Sequence, residues 1–90
     1  MIYLNVRHAV ADYAKWRVGF DANEAARRAA GATGVQQVYR DLENPSTITI
    51  IMEWDNAEKA RQFAHDPALA EAMKNAGVTS APEIRFLNRA

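Results

Sequence analysis

From Ile2 to His8 the chain alternates, with Ile2, Leu4, Val6 and His8 on one side and Tyr3, Asn5 and Arg7 on the other. A period of two over this length predicts a β-strand with one buried face. Asp12 follows as a helix N-cap, and Tyr13, Trp16 and Phe20 recur at helical spacing. The same stripe continues to Glu24 and Arg27, through an alanine-rich run that Gly31 is placed to end. A second strand is expected from about Val35 to Leu42, turn chemistry at Glu43-Asn44-Pro45-Ser46, and a third strand from Thr47 to Trp54. Strands joined so tightly form a hairpin. Its register stays open, because loops of three and four residues place Val38 and Tyr39 on opposite faces. Asp55 is the expected cap of the next helix, with Ala57, Ala60, Phe63 and Ala64 facing inward. Asp66-Pro67 restarts that helix, since Asp66 can cap and proline fits the first helical position. Leu69, Ala72, Met73 and Ala76 continue the inward face, Gly77 stops it, and Glu83 to Asn88 reads as a last strand.

The order β-α-β-β-α-β predicts an α+β, ferredoxin-like fold: a four-stranded, antiparallel-type sheet with its helices on one face. Right-handed crossovers are expected to set the first and third strands side by side and parallel at the centre. No linker, repeat or low-complexity segment interrupts the chain, so residues 1–90 are expected to form one domain. The sheet face without helices would carry Tyr3, Asn5, Arg7, Ile51, Glu53, Arg85 and Leu87. Pairing with a second copy would cover Tyr3, Ile51 and Leu87, which favours a homodimer over a solvated face. Arg7 and Glu53 are expected at similar heights on adjacent strands, as an interfacial pair that sets register.

Composition narrows the function. Eleven basic residues balance eleven acidic ones, which argues against nucleic acid or an anionic membrane as partner. No stretch approaches the roughly 18 apolar residues of a membrane span, and the first residues lack a signal-peptide pattern, so a cytoplasmic location is expected. The absence of cysteine excludes disulfides, thiolate metal sites and cysteine nucleophiles. His8 and His65 show no HxH or HxxxH spacing, so no metal site is expected. A short domain without disulfide or metal often gains stability by oligomerising.

With parallel central strands, His8 and Trp54 would end at the same sheet edge, with Tyr13 and Trp16 starting the helix beside them. That edge is a candidate pocket, because ligand crevices recur beside the carboxyl ends of strands. The competing reading makes Trp16, Phe20 and Trp54 plain core, with His8 at its margin. His8 is the natural proton-transfer group, since imidazole titrates near neutrality. His65 reads as a solvated or capping residue. Glu24 and Arg27 share a helix face at i,i+3 and read as a surface ion pair, in preference to an Arg27 that reaches over the pocket to an anionic substrate.

Two stretches, Arg7-His8-Ala9-Val10-Ala11-Asp12-Tyr13-Ala14-Lys15-Trp16 and Glu53-Trp54-Asp55 through Asp66-Pro67, together with Pro82 to Leu87, resemble the dimeric α/β-barrel superfamily. Within it, the chain is similar to small antibiotic-biosynthesis-monooxygenase-like and cyclase-like proteins. The resemblance implies a ferredoxin-like fold, face-to-face sheets in a dimer, and a pocket between sheet and helices. Some members oxidise aromatic polyketides with oxygen and no bound cofactor. The chain departs from familiar patterns: Phe63 and Ala68 stand where many such members carry histidines, and Asn23 where close relatives often carry one beside the arginine matched by Arg27. Heme-degrading members pair a first-strand asparagine, matched by Asn5, with a helical tryptophan and an iron-binding histidine. Phe63 and Met73 replace the last two, so heme degradation is not expected.

Two functions remain open. One is a cofactor-independent monooxygenase or cyclase acting on a small aromatic or polyketide-like molecule. There His8 is the catalytic base, and Tyr13, Trp16, Phe20, Trp54, Phe63 and Met73 bind the substrate. The other is a non-catalytic dimeric module that binds a small hydrophobic metabolite in the same slot and needs no base.

Overall fold

The computed structural model describes residues 1–90. Its elements run β1 (Ile2–Ala9), α1 (Tyr13–Ala22), α2 (Glu24–Ala30), β2 (Ala32–Arg40), β3 (Thr47–Trp54), α3 (Ala57–Ala64), α4 (Pro67–Asn75) and β4 (Glu83–Asn88). The strands form one sheet in the order β2-β3-β1-β4, and every neighbouring pair is antiparallel. This is the expected ferredoxin-like α+β arrangement.

One expectation about the sheet is corrected. β1 and β3 are adjacent but antiparallel, with Ile2 opposite Trp54 and His8 opposite Ile48. A right-handed crossover makes the two strands it joins parallel, and here those pairs are β1 with β2 and β3 with β4. Each such pair is separated by one intervening strand, so the two central strands oppose each other. His8 and Trp54 therefore lie at opposite ends of the sheet, although both face the helices.

Period two holds through the centre. Leu4, Val6 and His8 of β1 and Ile48, Ile50, Met52 and Trp54 of β3 are all buried, while their alternates are only half-buried. Burial of large apolar side chains on that face is the main stabilising contribution, at about 25 cal/mol per Å² removed from water. The hairpin register is now resolved: Val38 pairs with inward-facing Ile50, which leaves Tyr39 opposite Thr49 on the outer face. Strand β2 starts earlier than the pattern predicts, at Ala32, with an irregularity between Ala32 and Gln36.

Caps explain most helix boundaries. The carboxylate of Asp12 accepts from the Lys15 amide and that of Asp66 accepts from the Ala68 amide, with Pro67 opening α4. For α3 the cap is Asn56 and not Asp55. The Asn56 side chain accepts from the Lys59 amide, and Asp55 instead pairs with the Lys59 ammonium at 3.7 Å. The single long helix expected from Asp12 to Ala30 is broken at Asn23, where ψ falls to 4° and the chain turns into α2. No helix is long and apolar enough to cross a membrane.

The expected Arg7–Glu53 pair does not form. Arg7 lies opposite Thr49 and Glu53 opposite Tyr3, a consequence of the same antiparallel register. Arg7 instead donates to Asp41 across β3, and Glu53 accepts from the Thr33 hydroxyl at 3.0 Å.

Candidate functional site

The helices do not close fully on the sheet. A cavity of about 200 Å³ lies between them, with Val6, His8, Ile50 and Met52 as its sheet side. Trp16, Gly19, Phe20 and Asn23 of the first helical turn-out, and Ala26, Arg27 and Ala30 of α2, form one wall. Phe63, Asp66 and the inward stripe of α4 (Leu69, Ala72, Met73, Ala76) form the other. Small side chains keep the space open. The stripe that would otherwise pack on the sheet borders the cavity instead, so α4 contains no fully buried residue.

His8 is only 3 % exposed. Its ring meets Trp16 edge-on, with centroids 5.7 Å apart, and its Nδ1 has no hydrogen-bond partner. Desolvation holds the imidazole below its ordinary pKa of 6.5, a weak interaction with its own backbone opposing it only in part, which favours the neutral form. An imidazole held toward its neutral form in an apolar wall has a basic nitrogen able to accept a proton.

The aromatic ladder continues from His8. Trp16 stacks on Phe20 at 4.9 Å, and the guanidinium carbon of Arg27 lies 3.8 Å above the Phe20 ring. Arg27 is 4 % exposed, and its Nη1 donates to the Phe20 carbonyl at 2.7 Å. Its Nε and Nη2 are buried without partners. Desolvation lowers its pKa, opposed by the fields of Glu24 and Asp21. The expected surface ion pair with Glu24 is thus corrected: Arg27 turns inward at the α1–α2 break. The stripe of Tyr13, Trp16 and Phe20 already carries Arg27 to the inward side, and it is its charge and the i,i+3 spacing from Glu24 that suggest a surface pair.

Of the residues singled out for binding, Trp16, Phe20, Phe63 and Met73 line the cavity together with His8. Tyr13 and Trp54 do not. Tyr13 packs beside Trp16 at 5.9 Å under the Arg40 guanidinium, near the start of α1. Trp54 is completely buried and packs against Phe63, with centroids 4.9 Å apart, at the far end of the core. Gly31 lies over it with φ +129°, where an added Cβ would sit 3.4 Å from the indole and closer still to the Lys59 side chain. Trp54 is core. His65 is an exposed C-cap of α3, its Nδ1 2.9 Å from the Arg61 carbonyl. No three His, Asp or Glu side chains gather in a way that could hold a metal ion.

Comparison with solved structures places this geometry. A Bordetella bronchiseptica protein with the provisional name antibiotic biosynthesis monooxygenase superposes with a TM-score of 0.82 at 16 % identity, over 99 % of this chain and 96 % of that one. The chain has the ferredoxin-like fold of the antibiotic-biosynthesis-monooxygenase-like proteins. SnoaB, a cofactor-independent oxygenase from Streptomyces nogalater, matches with a TM-score of 0.73 at 17 % identity, covering 99 % of this chain and 92 % of its own. A similarly named Caulobacter crescentus protein matches with a TM-score of 0.74 at 17 % identity, over 99 % and 89 % of the two chains. No family model matches the sequence, and no curated protein matches it. At these identities the likeness is one of fold, and the site has to be argued from its own residues.

Proposed function

We propose that the protein is a cofactor-independent monooxygenase for a small, electron-rich aromatic molecule held in the cavity, with His8 as the base. The observation that carries this reading is the buried His8 imidazole, held below its ordinary pKa by desolvation, in the wall of an aromatic-lined cavity. Oxygen reacts sluggishly with neutral arenes but readily with phenolate-type anions. Transfer of a substrate hydroxyl proton to His8 generates such an anion in a dry site, where its electrons pass to oxygen. The substrate supplies all the electrons: one oxygen atom enters the product and the other leaves as water. A positioned base of this kind contributes roughly two to four orders of magnitude. Likeness in fold to SnoaB supports the reaction class. Trp16, Phe20, Phe63 and Met73 hold the ring, and Tyr13 and Trp54 support the walls from behind. The protein works as a homodimer through the helix-free sheet face, where Leu87 is 38 % exposed beside half-buried Tyr3 and Ile51.

The test is anaerobic loading of metal-free protein with an electron-rich phenol unsubstituted para to its hydroxyl, followed by admission of isotopically labelled oxygen, so that the quinone forms by insertion of one oxygen atom and loss of the other as water. The quinone spectrum should develop with the wild type and not with a folded His8→Gln variant. Equal rates in both would remove His8 from the reaction. Tight binding without any turnover in the wild type would favour the second reading, a module that sequesters a small hydrophobic metabolite.

A further inference from the structure

A guanidinium taken out of water without a counter-ion is costly, and proteins normally pair or hydrogen-bond such a charge. Arg27 meets neither condition in full. It is 4 % exposed and lines a mostly apolar cavity, and of its five N–H donors only one at Nη1 has a protein acceptor, the Phe20 carbonyl. Glu24 and Asp21 act on it through their fields and make no hydrogen bond to it. Asp66 also borders the cavity, but its carboxylate is engaged in capping α4 through the Ala68 amide.

The two nitrogens left free are Nε and Nη2. They are the pair whose N–H bonds run parallel along one edge of the planar group. That edge matches the two oxygens of a carboxylate, which accept two parallel hydrogen bonds in the fork-to-fork arrangement. The remaining edge is already committed, because Nη1 is tied to Phe20 and the plane is held 3.8 Å from the Phe20 ring. Both nitrogens are buried along with the rest of the side chain, so a carboxylate reaches them when the guanidinium edge turns toward the cavity about its Phe20 contact.

Size sets the second limit. An apolar cavity of roughly 150 Å³ accepts benzene, and this one is about 200 Å³. A single substituted ring fits within it.

We infer that Arg27 is an anion anchor and that the cavity takes a monocyclic aromatic carboxylate, its two oxygens on Nε and Nη2 and its ring among Phe20, Leu69 and Met73. This inference rests on the cavity being a ligand site, the first half of the reading above, and on none of the oxygen chemistry. Joined to that reading, it makes the substrate class a hydroxylated benzoate, charged at the Arg27 end with a ring hydroxyl available to His8.

Calorimetric titration of the intact protein with benzoate and with its neutral isostere benzamide tests the anchor. Benzoate should bind about 10- to 100-fold more tightly, the usual value of a charge-assisted pair of hydrogen bonds. Arg27→Met should abolish the preference, leaving benzoate no tighter than benzamide. Arg27→Lys, which keeps the charge but lacks the parallel edge, should retain only part of the preference. Equal affinity for the two ligands in the wild type would overturn the anchor and leave the cavity as a ligand site. A benzoate preference that survives in folded Arg27→Met would place the anion elsewhere and equally overturn it. Failure of both ligands to bind at millimolar concentration would overturn the anchor and the ligand cavity together. Should Arg27→Met not fold, the benzoate–benzamide comparison on unmodified protein decides alone.

Discussion

The guanidinium of Arg27 lies 3.8 Å above the ring of Phe20 while its Nη1 holds the carbonyl of the same residue at 2.7 Å. Two contacts to one residue span the break between α1 and α2 and turn a charged side chain into the cavity wall. A cation over an aromatic face is worth about 2 kcal/mol when desolvated, which offsets part of the burial cost.

Arg27→Met should therefore be tolerated. Replacing a buried, half-satisfied charge with an apolar chain of similar length removes its desolvation penalty as well as its contacts. Urea denaturation should show a change of less than about 1.5 kcal/mol, against the 3–5 kcal/mol typical of breaking a buried ion pair. A loss in the larger range would mean that Arg27 is a structural strut.

Trp54→Ala should behave in the opposite way. The indole is fully buried and packed on Phe63, away from the cavity. Its truncation should cost about 3–5 kcal/mol, read as a lower denaturation midpoint. Phe63→Leu should cost less and weaken ligand binding, because Phe63 both packs on Trp54 and lines the cavity. A Trp54→Ala protein of normal stability would contradict the placement of this residue in the core.

Much of this arrangement was legible in the sequence, and the exceptions share a cause. Alternation identified the buried faces of β1 and β3, and Asp12 and Asp66-Pro67 marked helix starts, because these signals depend on neighbours a few residues away. Strand direction depends on which strand a crossover reaches, and no local spacing encodes it. The expected grouping of His8 with Trp54 therefore failed, while the pairing of His8 with Trp16, eight residues later in the chain, held at 5.7 Å. Arg27 illustrates a second limit. Its i,i+3 spacing from Glu24 suggests a solvent-facing ion pair, although the stripe from Trp16 and Phe20 already runs through it, and α2 buries it.

Stability should also depend on pH through His8. Burial holds its pKa in the folded protein below the 6.5 of an exposed imidazole. The unfolded chain thus binds the extra proton first as pH falls, so the contribution of His8 is fully present above about pH 6.5. It is lost progressively as pH drops through the lower folded value. His8→Gln should flatten this part of the stability profile, measured as denaturation midpoint against pH. A wild-type profile with no slope below pH 6.5 that His8→Gln removes would contradict the buried, neutral imidazole.

The sheet face away from the helices offers a test of assembly. Ile51 sits there between Asn5 and Gln37. Light scattering at micromolar concentration should give twice the monomer mass for the wild type, and Ile51→Arg should shift it toward the monomer. Glu53→Arg should have the smaller effect, because Glu53 is tied to Thr33 and has no Arg7 partner to lose. A monomeric wild type would refute the dimer.

The pH dependence of oxygen uptake tests the role of His8 most directly. The charged or titratable side chains around the cavity are His8, Arg27 and Asp66. With a phenol unsubstituted para to its hydroxyl that does not itself ionise below pH 8, the initial rate in metal-free buffer should rise through a single ionisation below pH 6.5 and then stay level, because desolvation keeps the His8 imidazole in its base form from there upward. Folded His8→Gln should be slower by about two to four orders of magnitude, with the ionisation gone. A profile that still climbs above pH 7, or one that His8→Gln reproduces at wild-type rates, would contradict the account.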